Sequence, residues 1–276
     1  MGTGDGDAWA SLLQPNETER RRLQVIGEVW DANTFGHLAD LGIAEGWRCM
    51  EAGAGEGSVA RWLSERVGSS GRVVATDVDT RFLDLRGAAN GAVIQHDLRT
   101  DPCPGEPFDL IHARAVLMHL PDRDRIVERL AAWLRPGGWV VLEDLFVVPE
   151  MCSPELFSRF WAGVVGVTAA RVGTDCSWTL RQPEQLRSAG LVETGASLHV
   201  PPTFPRAGAR RELPMAPVLE FGLRSLEQLA SAMDQLDLFT AADAGRMATL
   251  LEAGDPSLLS YGLGMVSAWG RRPVAG

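Results

Sequence analysis

From Trp47 to Phe146 the hydrophobic period switches repeatedly between about two and about 3.6 residues, and that alternation leaves few folds open. Trp47 to Ala52 reads as a short buried strand, a glycine turn follows, and Val59 to Val67 returns to helical spacing. Arg72 to Asp77 is a second strand, Arg81 to Arg86 a short helix, Ala92 to His96 a third strand and Phe108 to Ala113 a fourth. Asp122 to Leu134 is an amphipathic helix, and Trp139 to Phe146 a fifth strand introduced by Arg135-Pro136-Gly137-Gly138. Strands and helices alternating in this way build a parallel, doubly wound sheet with right-handed crossovers. Its crevice opens at the C-terminal ends of the strands.

The flanks are more helical. Glu17 to Trp30 carries Leu23, Ile26 and Val29 at helical spacing, and a second short helix is expected over Thr34 to Leu41. Asn16-Glu17-Thr18 is formally a glycosylation sequon, but Asn16 with Glu19 three residues on also makes a helix N-cap, and the cap reading is preferred. Beyond Pro149 come helices from Pro154 to about Ala170 and from Pro183 to Ala189, then a strand from Leu191 to Val200. A proline-rich joint, Pro201-Pro202-Thr203-Phe204-Pro205, leads to helical stretches Val218 to Leu236 and Ala241 to Ala253 and to a last strand, Tyr261 to Trp269.

Composition removes whole classes of chemistry. All 26 basic residues are arginine, so Schiff-base and pyridoxal-phosphate enzymes, a Walker-type phosphate loop and the strand lysine of protein kinases are excluded. A general base must come from the five histidines, the carboxylates, the four cysteines or the single tyrosine, Tyr261. The net charge of -10 gives no basic face for a phosphate backbone, so nucleic acid is not an expected partner. Cys49, Cys103, Cys152 and Cys176 show neither zinc-ligand nor disulfide spacing and read as free intracellular thiols, and no metal is expected. The N-terminus is rich in glycine and acid, and no apolar run approaches ~18 residues. Neither a signal peptide nor a membrane span is expected, which points to the cytoplasm.

Chemistry concentrates at three strand ends. Glu51-Ala52-Gly53-Ala54-Gly55-Glu56-Gly57 joins the first strand to its helix, where glycines admit a ligand close to the backbone and the helix N-terminus adds its dipole. A dinucleotide fingerprint would carry its third glycine at position 58, which is Ser58, and the carboxylate of Glu51 suits a positively charged group better than a pyrophosphate. Asp77, with Val78 after it, ends the second strand where a carboxylate can accept both hydroxyls of a ribose. Asp97 and Leu98 follow the third strand, where a carboxylate can accept from an adenine amine and a backbone group can serve a ring nitrogen. Acids placed for an amino acid, a ribose and an adenine describe S-adenosylmethionine.

These segments, with Val74 to Asp77, Phe108 to Arg114 and Leu134 to Gly138, resemble the class I S-adenosylmethionine-dependent methyltransferases. Val116 to Asp122 and Leu142 to Leu145 resemble the ubiquinone/menaquinone-type small-molecule group, over about residues 45 to 148 with a weaker tail to 200. The resemblance implies a seven-stranded Rossmann-like sheet with the last strand antiparallel, N-terminal helices and a helical lid insertion before that strand. It implies one methyltransferase domain over 1–276: a helical cap at 1–45, a cofactor-binding core at 46–200, a lid at 201–258 and the last strand at 259–276. Glu51, Gly53, Ala54, Gly55, Gly57, Asp77, Val78, Asp97, Leu98 and Arg114 are the expected cofactor contacts. The expected substrate is a small, fairly apolar acceptor of bacterial specialised metabolism, methylated at oxygen first, then nitrogen or carbon, by a monomer or homodimer.

Each residue also has a plainer reading. The glycines could form a tight turn, Asp77 and Asp97 could cap turns, and Glu51 could pair with an arginine. His119, just before Pro121, is the candidate base or else bonds its own loop. His112 is expected to be packed, and His37 and His199 are weaker candidates. Arg114 could approach the cofactor carboxylate or pair with Glu143 or Asp144. The run Arg20-Arg21-Arg22 reads as a solvated helix face, with a cover for the crevice as its alternative. Phe157, Trp161, Trp178, Phe204, Met215 and Phe221 form either an acceptor pocket or the lid's own core. The rival functions are a cofactor-binding relative that does not methylate and an NAD(P)-dependent reductase, the latter disfavoured by Ser58 and the missing lysine.

Overall fold

A computed structural model describes residues 16–201 and 217–274 of the chain. In chain order the elements are α1 (Glu17–Asp40), β1 (Arg48–Ala52), α2 (Ser58–Val67), β2 (Arg72–Asp77), β3 (Gly91–Gln95), β4 (Phe108–Arg114), α3 (Arg123–Trp133) and β5 (Leu134–Val147). They continue with β6 (Cys152–Ser153), α4 (Glu155–Val172), α5 (Gln182–Ser188), β7 (Val192–His199), α6 (Pro217–Gln235), α7 (Ala241–Ala253), β8 (Leu259–Ser260) and β9 (Leu263–Arg271). Two compact units result. Of the described residues, the sheet unit comprises Asp31–Leu145, Ser177–His199 and 265–274, while the helical unit comprises 16–30, Phe146–Cys176, 200–201 and 217–264. Residues 146–176 belong to the helical unit.

The seven-stranded sheet runs β3-β2-β1-β4-β5-β9-β7. β1 pairs in parallel with both β2 and β4, and the last strand β9 lies antiparallel to β7. β1 and β4 are therefore adjacent in the sheet though not consecutive in sequence, which makes the gap above them the topological switch point where ligands of open α/β sheets bind. The central strands are buried almost throughout because helices cover both faces. Their side chains alternate accordingly. Cys49, Val73, Ala75, Leu110 and Val141 pack with Val59, Leu63 and Val67 of α2 and Leu38 of α1. Met50, Val74, Ile111, Val140 and Leu142 face the other way, onto Ile126, Val127 and Leu130 of α3 and Leu186 of α5.

Three local expectations change. α1 is one continuous helix over Glu17–Asp40 rather than two, and Asn16 Oδ1 caps it by accepting from the Glu19 N–H at 3.1 Å, as the cap reading requires. In place of a helix over Arg81 to Arg86 there is a single 3₁₀ turn, Thr80–Phe82, because Asp79 and Asp84 bond the backbone N–H groups of Arg81 and Arg86 and divert the chain into turns. The run Arg20-Arg21-Arg22 is not a freely solvated face: Arg21 binds Glu220 at 2.7 Å and Glu28 at 2.6 Å, and Arg22 binds Glu19 at 2.7 Å.

Within the helical unit, Phe157, Phe160 and Trp161 of α4 are buried with Trp30 and with Phe221 of α6. The Trp161 and Phe221 rings stack at 5.9 Å, and Trp30 meets Phe221 edge-on at 5.4 Å. Trp178 is not in this group. It lies in the core of the sheet unit and donates from its indole nitrogen to Asp124 at 3.3 Å. Phe204 and Met215 lie outside the described residues, as does the joint after Pro201. All four cysteines are free thiols, with Cys49 and Cys152 buried. Among the described residues no helix is long and apolar enough to cross a membrane, and no cluster of His, Cys, Asp or Glu could hold a metal ion.

Candidate active site

The turn after β1 is built by backbone that side chains disfavour. Gly53, Gly55 and Gly57 all have positive φ, at 68°, 57° and 95°. Gly53 is constrained twice, since a Cβ built on it would lie 2.2 Å from Cγ2 of Val116 in the turn after β4. Two hydrogen bonds tie this turn to the end of β2: Ala54 N–H donates to the Thr76 carbonyl at 2.9 Å, and Gly55 N–H donates to Asp77 Oδ2 at 2.9 Å. Asp77 Oδ1 also accepts from the Asp79 N–H at 3.0 Å. Burial pushes the Asp77 carboxyl up, and these N–H groups draw it partly back. Val78 follows at the strand end, 48% exposed, with its carbonyl accepting from Gln95.

After β3, Asp97 serves its own loop. Its carboxylate accepts from the Arg99 N–H at 2.9 Å and from the Arg99 guanidinium at 2.8 Å, and that guanidinium holds it below the usual carboxylate range. The turn-capping role is thus present, alongside any contact to a ligand. The Leu98 side chain is buried in the core beneath, which leaves only its backbone to meet a ligand.

Above the apolar layer formed by Cys49, Leu110 and Val141 lies a polar one, two residues further along each strand. Glu51 is in register with His112, and His112 Nδ1 lies 2.7 Å from Glu51 Oε2 while its Nε2 lies 3.2 Å from Glu143 Oε2. All three are buried, His112 completely. Burial alone would lower the imidazole, but the two carboxylates raise it to about 9, so both ring nitrogens donate. Burial likewise opposes ionisation of Glu143, yet His112, Arg114 and Ser267 bring it down to about 2. Glu51 is pushed up by burial and drawn back by His112. Its partner is this histidine, where the plainer reading of Glu51 has it pair with an arginine.

Helix α1 closes the layer. Leu38 packs on the apolar layer, and Thr34, one turn earlier on the same face, donates to Glu143 at 2.5 Å and accepts from Arg114 Nη1 at 3.1 Å. Arg114 forms its ion pair with Asp31, at 2.8 Å, rather than with Glu143 or Asp144. It also reaches Ser58 at the start of α2 at 3.3 Å, and Ser58 donates to Asp31 at 3.0 Å. One guanidinium thus joins β4, α1 and α2 around the glycine turn. His119 ends a 3₁₀ turn, Leu117–His119, and Val116, immediately before that turn, covers Gly53. Asp31 and Thr34 are neighbours of the turn that sequence reading misses, and Glu143 enters there only as a possible partner of Arg114. The strand register would have indicated Glu143, because it lies two residues beyond Val141 on the same face.

The geometry fits an adenosyl amino acid. The cradle has no room for a Cβ at Gly53, backbone N–H groups line the turn, and carboxylates stand at the ends of β1 and β2 with a third after β3. Comparison with known proteins agrees. Residues 50–142 match the model of a methyltransferase domain. The chain is 28% identical over 115 residues to methyltransferase GfsG of Streptomyces halstedii, covering 39% of this chain and 41% of that protein. It is 26% identical over 135 residues to the ubiquinone/menaquinone biosynthesis C-methyltransferase UbiE of Bordetella parapertussis, covering 47% and 51%. The chain therefore spans about half the length of the curated relatives it matches. Among solved structures, Haemonchus contortus phosphoethanolamine N-methyltransferase 2 in complex with S-adenosyl-L-methionine shares the fold, with TM-score 0.58 at 16% identity over 99% of this chain and 60% of that one. Motif order, sheet topology and the matched domain agree: over residues 50–142 the chain carries a methyltransferase domain, and it is similar there to methyltransferases that include the ubiquinone/menaquinone type.

Proposed function

We propose that this protein transfers the methyl group of S-adenosylmethionine to a small, fairly apolar metabolite, at oxygen first, then nitrogen or carbon. The observation that carries this reading is the glycine turn at the β1/β4 switch point, bonded through Gly55 to the carboxylate that ends β2. The cofactor, when bound, supplies an electrophilic methyl on a sulfonium, and the protein's task is in-line positioning and, for an oxygen acceptor, proton removal. Gly53, Ala54, Gly55 and Gly57 would receive the methionine part, Glu51 and Arg114 would set the charge around its amino and carboxylate groups, and Asp77 with Val78 would take the ribose. Asp97 and the Leu98 backbone would meet the adenine. His119 would accept the proton of an oxygen acceptor, which is why oxygen is placed first. The name of the UbiE relative favours carbon as the alternative. The whole chain is kept as one cytoplasmic methyltransferase, monomeric or dimeric, that binds neither membrane nor nucleic acid.

The test is calorimetric titration with S-adenosylhomocysteine in parallel with NADH and NADPH. Micromolar affinity for the first alone is expected, and binding of a nicotinamide cofactor instead overturns the reading. Asp77→Ala is expected to weaken S-adenosylhomocysteine binding by about 1 to 3 kcal/mol through loss of charge-assisted hydrogen bonds. Unchanged affinity in the same titration removes Asp77 from the site. With an acceptor in hand, His119→Ala should lower the single-turnover rate about 10²-fold while leaving cofactor affinity unchanged. Near-normal turnover makes His119 a loop residue.

A further inference from the structure

The turn 115–119 covers Gly53 and carries His119, yet it is held by residues far from it in sequence. It begins in strain, with Ala115 in the left-handed region at φ 54° and its N–H donating to the Glu143 carbonyl at 2.6 Å. Asp144, the next residue of β5, is 1% exposed and its Oδ1 accepts from the Val116 N–H at 3.0 Å, with the Met118 N–H a second backbone donor to the same carboxylate. Its Oδ2 accepts from Gln182 Nε2 at 2.8 Å, and Gln182, on α5, is completely buried with no partner for its own Oε1. Arg123 donates to the carbonyls of Leu117 at 3.2 Å and Met118 at 3.0 Å.

We propose that Asp144 is the positioning residue of the 115–119 turn, fixing through its two backbone N–H bonds both the cover that Val116 makes over the cofactor turn and the place of His119. The inference rests on the methyl-transfer reading for its purpose but on the hydrogen bonds alone for its geometry. Keeping a carboxylate at full burial is costly, and here burial raises it to about 7 against the pull of those N–H groups and of Arg123. An apolar residue would fill the space without that cost but would leave both N–H donors and the Gln182 amide unpaired. An asparagine would not. Its carbonyl accepts the same two N–H groups, and its amide donates to Gln182 Oε1 once the Gln182 side chain turns over.

Asp144→Ala and Asp144→Asn separate these cases in two readouts, S-adenosylhomocysteine affinity by calorimetry and amide hydrogen exchange of residues 115–120. The alanine variant is expected to bind about 10- to 100-fold more weakly and to lose exchange protection in this segment. The asparagine variant should stay within about threefold of wild type in both. Wild-type affinity and protection in the alanine variant overturn the proposal, as does an asparagine variant as damaged as the alanine one. If the alanine variant does not fold, Asp144→Ser, whose shorter hydroxyl cannot reach both N–H groups, replaces it with the same readouts and expectations. Failure of the wild-type protein itself to bind S-adenosylhomocysteine would refute the functional reading instead, and the exchange data would still decide the role of Asp144.

Discussion

Replacing His112 by leucine is expected to destabilise the protein by about 3 to 5 kcal/mol, the usual cost of removing one partner from a buried ion pair. Leucine fills the space but leaves Glu51 and Glu143 facing each other without the cation they share. Adding Glu51→Gln to His112→Leu should recover part of the loss, since it removes one of the two stranded charges. Urea unfolding checks both, and an unchanged midpoint for the single variant would show that the imidazole is not charged in the folded protein. The pH dependence has a definite sign. His112 is raised to about 9, so its stabilisation is complete below its ordinary value of 6.5 and is lost as pH rises through about 9. Asp144, raised from 3.8 to about 7, also costs stability as pH rises through that window. Glu143 acts oppositely at the acid end: held at about 2, its contribution is present above 4.5 and lost as pH falls through 2. Stability should therefore be highest near about pH 4.5 and decline toward pH 9, and in His112→Leu the decline above about pH 6.5 should flatten.

The sheet is legible because its signal is a period, and the period survives without knowledge of neighbours. The polar layer is less so, and Thr34 shows why. Trp30, Thr34 and Leu38 recur every fourth residue and all are buried, which continues one helical stripe. A polar residue in the middle of that stripe reads as a break and suggests two helices. It is polar because it meets Glu143 and Arg114, partners supplied by strands far along the chain. The same holds for Arg114, whose choice of Asp31 depends on how α1 lies over the sheet ends and has no local trace. Trp178 looks like a member of the covering aromatics because it follows them in sequence, but the 3₁₀ segment Cys176–Arg181 leads the chain back to the sheet unit. The glycine turn and Asp77 are legible together because strand, turn, helix and next strand end are local units joined in a fixed order. Asp97 can be placed from sequence, whereas its hold by Arg99 cannot.

Gly53→Ala is expected to weaken S-adenosylhomocysteine binding by about 2 to 5 kcal/mol, and the reason has two separable parts. A side chain at φ 68° bears the left-handed penalty of about 1 to 2 kcal/mol. The added Cβ, 2.2 Å from Val116 Cγ2, must also displace the turn that carries His119, an overpacking cost of about 1 to 3 kcal/mol. Asp144 and Arg123 hold the turn after β4 in place, so the glycine turn must give way as well, and the cost reaches affinity through the displaced cofactor cradle. Val116→Ala removes the methyl groups in question. The double variant should therefore regain the steric share and keep only the backbone penalty, leaving a deficit of about 1 to 2 kcal/mol. A double-mutant cycle measured by calorimetry reads this coupling directly. Losses that simply add would mean that Val116 does not close over the cofactor turn, while a recovery confined to the steric part would establish that the turns after β1 and β4 form one binding surface.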